Sequence, residues 1–247
     1  EVTKFDNESK ELGNWYVGQK QGEIWGYETY GLFQSEQEIA GAANQDKVSG
    51  GIKLMPGDIR FVDRNNDGVI DWGDNTVDNP GDKKIIGNST PRYHYGINLG
   101  ADWKGFDLGI FFQGVGKRDL YLPGTSFRSH YGSEWQVPSA YNNDYWTEEN
   151  TGAYFPRARF NGGSAINQAQ TRYMVDASYC RLKSLSIGYT LPKVLTQKAS
   201  IEKIRIYFTG ENLFTISDTP DGLDPELDNP YTYPMQRSLS VGLSLTF

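Results

Sequence analysis

The last ten residues of the chain alternate strictly between apolar and small polar side chains. The apolar positions share one parity and are Leu239, Val241, Leu243, Leu245 and Phe247, while serine, glycine or threonine occupies the positions between them. Successive side chains of a β-strand point to opposite faces, so this segment has one apolar face and one small polar face. A strand of this kind is typical of a transmembrane β-barrel, in which one face meets lipid and the other meets a wet lumen.

Four earlier segments show the same alternation, at about 93–103, 106–113, 179–191 and 204–211. Lys104 and Gly105 separate the first two, and a polar residue followed by glycine between alternating runs predicts a hairpin. Pro192 ends the third segment, so residues 192–202 are expected to form a turn. Residues 24–33 are consistent with either a further strand or an ordered loop.

Long polar stretches separate these strands, at about 34–91, 117–176 and 217–234. Counting back from Phe247, the short turns lie at one end of the predicted sheet and the long stretches at the other. Outer-membrane barrels have short periplasmic turns and long extracellular loops, and we therefore predict that the three stretches are external loops.

About six strands cannot close a lipid-facing barrel, because the smallest such barrels have eight. An open sheet edge in hydrocarbon would leave backbone groups unpaired, at several kcal/mol each. We therefore expect an all-β fold in which the chain, residues 1–247, is the C-terminal portion of a larger barrel that residues preceding Glu1 complete.

Composition narrows the classes of function. The chain is 37% hydrophobic with a mean hydropathy of -0.60, and it has no apolar run of the length that a transmembrane helix needs. A net charge of -7 argues against nucleic-acid binding, which requires clustered lysine and arginine. His94 and His130 lack the partners of a catalytic triad, and Cys180 is the single cysteine. We predict that the protein is not an enzyme.

An acidic stretch has the spacing of an EF-hand calcium loop. Its expected oxygen ligands, the fourth through its backbone carbonyl, are Asp63, Asn65, Asp67, Val69, Asp71 and Asp74. Gly68 and Ile70 occupy the positions at which such loops carry glycine and an apolar residue. The sequence predicts bound Ca²⁺ or Mg²⁺ here; the alternative is an Asn/Asp-rich turn that side-chain-to-backbone bonds hold together.

Two groups of side chains are candidates for binding a transported substrate. The first group consists of loop aromatics, which could stack on sugars or grip peptide side chains: Tyr131, Trp135, Tyr141, Tyr145 and Trp146. The second group consists of polar side chains on the lumen-facing parity of the strands: Asn98, Gln113, Arg205, Tyr207 and Glu211. The alternative for each aromatic is packing within the loops.

Several motifs, in one order along the chain, resemble the C-terminal part of SusC/RagA-like TonB-dependent outer-membrane transporters. They are Gly57-Asp-Ile-Arg-Phe-Val-Asp63, Ile85-Ile-Gly-Asn-Ser-Thr-Pro-Arg-Tyr-His-Tyr-Gly-Ile-Asn98, Lys104-Gly-Phe-Asp-Leu-Gly-Ile-Phe-Phe-Gln-Gly114, Asp176-Ala-Ser-Tyr-Cys-Arg-Leu-Lys-Ser-Leu-Ser-Ile-Gly-Tyr-Thr-Leu-Pro192, Gly210-Glu-Asn-Leu-Phe-Thr215, Gly222-Leu-Asp-Pro-Glu226 and Tyr233-Pro-Met-Gln-Arg237. The ordered set covers most residues from Gly57 to Phe247.

This resemblance implies a barrel of about 22 strands with an N-terminal plug that this chain lacks. It also implies TonB as the energy source, a SusD-like surface lipoprotein as partner, a dimer of that pair, and import of oligosaccharides or peptides across the bacterial outer membrane. Phe247 resembles the terminal signal for barrel insertion. The alternative is a secreted, soluble β-sandwich that binds glycan and carries a structural calcium loop.

Overall fold

The computed structural model describes residues 1–121, 144–159, 163–197, 200–220, 223–227 and 232–247, which divide into two compact units. The loop unit comprises Glu1–Thr90 and Leu120–Val175, and the sheet unit comprises Pro91–Asp119 and Asp176–Phe247. Within the described residues, none of the helices has the length and apolar character that crossing a membrane would require.

The loop unit is made of short elements. In chain order its first six are β1 (Glu23–Tyr27), β2 (Thr29–Leu32), α1 (Glu36–Ala40), α2 (Asp46–Ser49), β3 (Ile59–Phe61) and β4 (Lys83–Asn88). Strand β1 pairs with β4 and β2 pairs with β3, both antiparallel. Residues 24–33, which the sequence left as strand or loop, thus form most of β1 and all of β2, with Glu28 between the two strands and Phe33 after β2.

The loop unit has its own apolar core. Fully buried side chains from distant parts of the chain meet in it, among them Phe33, Val48, Ile59, Ile70 and Tyr173. Two 3₁₀ turns take part in this core: Thr171–Tyr173 supplies Tyr173, and Ala165–Asn167 adds the buried Ala165 and Ile166. Much of the sequence between 34 and 91 and between 144 and 175, although polar on average, is therefore folded around a core, which its short and irregular apolar runs did not predict.

The sheet unit contains the strands that the alternation predicted. They are β5 (Tyr93–Trp103), β6 (Phe106–Gly116), β9 (Tyr179–Thr190), β10 (Lys203–Ser217) and β11 (Ser238–Thr246). Two short strands, β7 (Asp119–Tyr121) and β8 (Met174–Asp176), form a separate pair, and most of their residues belong to the loop unit. The five long strands form one antiparallel sheet in the order β11-β10-β9-β6-β5. A single helical turn, α3 (Lys193–Thr196), lies in the connection from β9 to β10.

The hairpin turn between β5 and β6 is as short as predicted. Trp103 pairs with Phe106, and the two intervening residues both have positive φ, 47° at Lys104 and 90° at Gly105. This is the turn whose twist suits a two-residue hairpin. Glycine is required at the second position also because a Cβ there would lie 2.8 Å from the carbonyl oxygen of Thr190.

The return from β6 to β9 is closed by a narrow neck. The backbone N–H of Lys117 donates to the Ser178 hydroxyl at 3.0 Å, and the N–H of Ala177 donates to the carbonyl of Arg118 at 2.8 Å. The first and last residues of the long connection from β6 to β9 are thus held side by side.

The sheet has one apolar face and one polar face across all five strands. Rows of directly opposed residues share a character: Leu243, Ile206, Tyr189 and Phe106 form one row, and Val241, Phe208, Ile187 and Leu108 form the next. Most of these side chains are exposed, and Val241 is 79% exposed. The dry core of a soluble sandwich would bury such a face, whereas a wall that meets lipid leaves it uncovered.

A β-bulge interrupts the simple alternation of β9. Opposite β6, Phe111 pairs with Ser184 but the next residue, Phe112, pairs with Leu182, so Lys183 is an extra residue. Opposite β9, β10 also shifts register between Glu211 and Phe214, where Asn212 has a φ of 51°. Beyond the bulge the two faces of β9 exchange parity, and Arg181 joins the polar face opposite Gln113.

The lipid-facing orientation makes a prediction for the terminal strand. In the complete barrel, Val241→Arg should reduce the free energy of unfolding by about 2–4 kcal/mol, because it places a cation in hydrocarbon. Urea titration in lipid vesicles would measure this loss. The matched control, Ser240→Arg, changes the neighbouring residue on the polar face and should cost far less. An effect of Val241→Arg within about 0.5 kcal/mol of zero, as expected for an exposed position in water, would contradict the orientation.

Candidate functional site

The polar face of the sheet brings together the strand residues predicted to line a passage. Asn98 is opposite Phe111, and Gln113 is opposite Gly96 and Arg181. Glu211 is opposite Ser184 and Ser238. All lie on the face away from the apolar rows, as do Arg205 and Tyr207. Their shared face follows from the register; their contact with a substrate stays a prediction.

Arg205 is fixed on this face by an ion pair with Asp107. Its Nε donates to Oδ1 at 2.9 Å and its Nη2 donates to Oδ2 at 2.5 Å, a bidentate arrangement. The same guanidinium lies 4.8 Å from the centroid of the Tyr207 ring. Two of the candidate lumen residues therefore form a single polar group with Asp107, which the sequence did not indicate as their partner.

Gly188 provides the space that this ion pair occupies. It is directly opposite both Asp107 and Tyr207, and a Cβ added to it would lie 2.5 Å from Asp107 Oδ1 and from Arg205 Nη2. No such crowding exists at Gly109, on the same face, where a Cβ would have Ser186 Cβ as its nearest neighbour at 3.9 Å. The ion pair thus crosses the sheet directly above a glycine.

Substitution at the two glycines should therefore have unequal effects. We expect Gly188→Ala to push Arg205 away from Asp107 and to lower the free energy of unfolding, because the added methyl group would occupy the space that the ends of these two side chains now fill. Gly109→Ala should cost much less, although it adds the same methyl group to the same face. Equal losses for the two variants in urea titrations of the complete barrel would show that the crowding at Gly188 is unimportant.

The alternation of the sequence did not predict a second cluster of charges on the polar face. The bulge at Lys183 reverses which residues of β9 face the lumen, so Arg181 has the parity of the apolar side chains. This Arg181 cluster consists of Arg181, Lys183, Asp224 and Glu226. Arg181 donates to Glu226 Oε2 and to Asp224 Oδ1, both at 2.6 Å, and Lys183 Nζ donates to Glu226 Oε2 at 2.9 Å. Arg181 and Asp224 side chains are each only 4% exposed. Two cationic residues at 181 and 183, within an otherwise apolar and small-residue strand, were the available signal.

Burial and hydrogen bonding act in opposite directions on Asp224. Burial raises the pKa of its carboxyl, but hydrogen bonds from Arg181 and from the backbone N–H groups of Glu226 and Met235 outweigh this effect and leave the pKa below its ordinary value. The carboxylate is therefore held ionised beside its guanidinium partner.

The loop aromatics divide between core and surface. Trp146 is buried, 2% exposed, with its indole N–H directed to the side-chain oxygen of Gln34 at 3.3 Å and the Arg157 guanidinium 4.8 Å from its ring. This is the packing alternative, so Trp146 is a core residue of the loop unit. Tyr145 is 38% exposed, and its contact with a ligand stays a prediction. The other candidates, Tyr131, Trp135 and Tyr141, lie outside the described residues.

The acidic loop is held together by its own side chains. Asp63 accepts hydrogen bonds from the backbone N–H groups of Asn66 and Gly68, at 2.7 and 2.9 Å. Asn65 and Asp67 accept similar bonds within the turn, and Asn65 Nδ2 donates to Asp67 Oδ2 at 2.8 Å. These bonds are those expected of an Asn/Asp-rich turn, the alternative to the metal loop.

The later residues of the predicted metal loop have other partners. Asp71 is ion-paired with Lys47 at 2.6 Å, and this bond, with one from the Gly73 backbone, lowers the pKa of the Asp71 carboxyl. Asp74 accepts a hydrogen bond from Asn79 at 2.8 Å. Val69 is the residue whose backbone carbonyl was the predicted fourth ligand. Among the residues with described coordinates, no three or more His, Cys, Asp or Glu side chains are grouped so that they could hold a metal ion.

The calcium site stays a prediction, and Lys47 offers a way to test it. An ion in this loop must displace Lys47 from Asp71, so Lys47→Met should strengthen Ca²⁺ binding about two- to fivefold, the equivalent of an exposed ion pair. Calorimetric titration should then give dissociation constants of about 10⁻⁴–10⁻³ M. Lys20→Met, which removes a lysine elsewhere in the loop unit, is the matched control. Absence of binding heat in every variant at about 10 mM Ca²⁺, well above that range, would leave the self-held turn as the correct interpretation.

Known proteins resemble the chain in both sequence and fold. It is 32% identical over 93% of its length to the TonB-dependent receptor P3 of Formosa agariphila, and 29% identical over 76% of its length to the TonB-dependent receptor SusC of Bacteroides thetaiotaomicron. A solved structure of the RagAB peptide transporter matches 96% of the chain with a TM-score of 0.67 at 23% identity. No protein-family model matches the sequence.

The chain spans less than a quarter of these relatives, 22% of P3, 17% of SusC and 24% of the matching RagAB chain. The five-stranded sheet with an uncovered apolar face is thus one portion of a larger transmembrane barrel, and the soluble sandwich is excluded. The relatives are named as receptors and transporters and not as enzymes. This chain belongs to the SusC/RagA-like TonB-dependent outer-membrane transporters, of which it is a C-terminal part.

Proposed function

We propose that the chain forms part of the barrel wall of a SusC-like importer, which moves oligosaccharides or peptides across the bacterial outer membrane. The observation that carries this proposal is the division of the sheet into an exposed apolar face and a polar face with fixed charges. A wall with these two faces separates lipid from a water-filled path that polar nutrients can follow.

The proposed partners combine what the open edges of the sheet require with what the family resemblance implies. The outer edges of β5 and β11 have no strand partner among the described residues of the sheet, and backbone groups cannot stay unpaired in hydrocarbon. We infer that the remaining strands of the same receptor cover both edges and that its plug occupies the lumen. TonB supplies energy through that missing part, and a SusD-like lipoprotein lies over the external loops. The pair of proteins forms a dimer.

The substrate class is either peptide or oligosaccharide. The RagAB structure is that of a peptide transporter, whereas the names of P3 and SusC specify no substrate. The polar face carries hydroxyl, amide and paired charged groups, including Ser240, Thr209, Asn98 and the Arg205–Asp107 pair, and these could hydrogen-bond to sugars and to peptide backbones alike.

Purification of the complete receptor from its native membrane tests both parts of the proposal. We expect a surface lipoprotein to copurify with the affinity-tagged receptor, and mass spectrometry to identify bound peptides or oligosaccharides. Deletion of the receptor, or of TonB, should abolish uptake of the class of compound found. The importer would be contradicted if the purified receptor carried neither a lipoprotein nor a bound peptide or oligosaccharide, and if its deletion left the uptake of both peptides and oligosaccharides unchanged.

A further inference from the structure

Residues 223–227, in the connection from β10 to β11, lie against the polar face of the sheet. Their position follows from Arg181, whose side chain is on that face beside Gln113 and Thr215. Asp224 and Glu226 both accept hydrogen bonds from this guanidinium. The sequence placed this segment in an external loop, but its acidic side chains point to the lumen-facing side of the strands.

Arg181 is fully committed to holding this segment. Besides its two bonds to the carboxylates, its Nε donates to the hydroxyl of Thr215 at 2.7 Å, so each nitrogen of the guanidinium has a partner. The residue as a whole is 3% exposed. Such a planar fork fixes direction as well as distance, which a lysine cannot do.

Further bonds tie the segment to the wall at other points. Arg118, also buried, donates to the carbonyl of Pro225 at 2.8 Å. The second oxygen of Asp224 accepts the backbone N–H of Met235 at 2.9 Å, which joins the two described parts of the connection. Displacing residues 223–227 would therefore leave buried charges without partners, which is strongly unfavourable.

These contacts distinguish a fixed element from a mobile one. Gating loops are drawn from segments with few buried contacts and exposed hydrogen bonds. The Arg181 cluster is the opposite, since its four charges are buried or half-buried and sum to zero. A neutral cluster exerts little long-range electric field on a passing solute. Its main effect is therefore steric, because it reduces the width of the passage.

We propose that Arg181 is a positioning residue which holds residues 223–227 permanently against the lumen side of the barrel wall, as a rib that narrows the path of the nutrient. The narrowing rests on the proposed import function; the fixed position of the rib does not. Beside the rib lies a recess of ≈ 470 Å³, lined in part by Thr215, Pro234, Met235 and Arg237, which is the space that a passing substrate would meet.

The experiment measures how firmly the rib is held in the complete receptor. Leu223→Cys, in a background with the other cysteines replaced, is treated with a water-soluble charged maleimide in isolated outer membranes. Leu223 is half-buried, so labelling should be slow. Arg181→Met should accelerate it about tenfold or more because the buried carboxylates lose their partner, whereas Arg181→Lys, which keeps the charge, should recover part of the protection.

The matched control is Arg205→Met, which removes another ion-paired arginine from the same face. It should leave labelling at position 223 within about twofold of the parent, because Asp107 lies far from the rib in register. Equal labelling of the parent and Arg181→Met would overturn the proposal, and so would equal acceleration by Arg205→Met. If Arg181→Met does not assemble into the membrane, the paired change Asp224→Asn with Glu226→Gln takes its place, with the same acceleration expected.

Labelling is measured without nutrient and without TonB, so it does not depend on import. A receptor that imports neither compound class, but in which Arg181 protects the cysteine introduced at position 223, would overturn the importer and retain the rib. A receptor that imports normally, but in which that cysteine is labelled rapidly even with Arg181 present, would retain the importer and overturn the rib.

Discussion

The hydrogen-bonding requirement of the backbone in hydrocarbon governs this structure. Every N–H and C=O of a strand that meets lipid must be paired within the sheet, because no water is present to replace a missing partner. The consequence is visible in the continuous registers of β5 with β6 and of β10 with β11, each unbroken over its length. The alternating side chains then assign one face to lipid and the other to the lumen, without any need for a buried core in the sheet.

The alternation also explains how much of the fold could be predicted. The bounds of β5, from Tyr93 to Trp103, agree with the prediction because nothing interrupts the period of two residues. The bulge at Lys183 could not be predicted from that period. A period of two assumes that each residue of one strand is opposite one residue of its neighbour, and a bulge adds an extra residue to one strand. The loop unit was missed for a different reason. Its core assembles from single residues on short elements, such as Phe33, Ile59 and Tyr173, and these leave no periodic signal.

The candidate site was predicted where it depends on strand parity and not where it depends on tertiary contacts. Arg205 and Tyr207 were placed correctly on the polar face, but their partner Asp107 lies on a strand far away in the sequence. Trp146 shows the same limit in reverse, because a tryptophan in a polar stretch gives no indication that it packs inward. The acidic loop has the spacing of a metal site, and the bonds from its carboxylates to its own backbone are visible only in three dimensions.

The neck between β6 and β9 has a consequence for how such receptors diversify. The bonds of Lys117 with Ser178 and of Arg118 with Ala177 bring the two ends of the connection together, so the adjoining strands are presented to each other as if a tight turn joined them. The entropy of closing a long connection rises only slowly with its length. Evolution can therefore enlarge, shrink or replace the material beyond the neck while the wall keeps its register, and new surfaces can arise on an unchanged barrel.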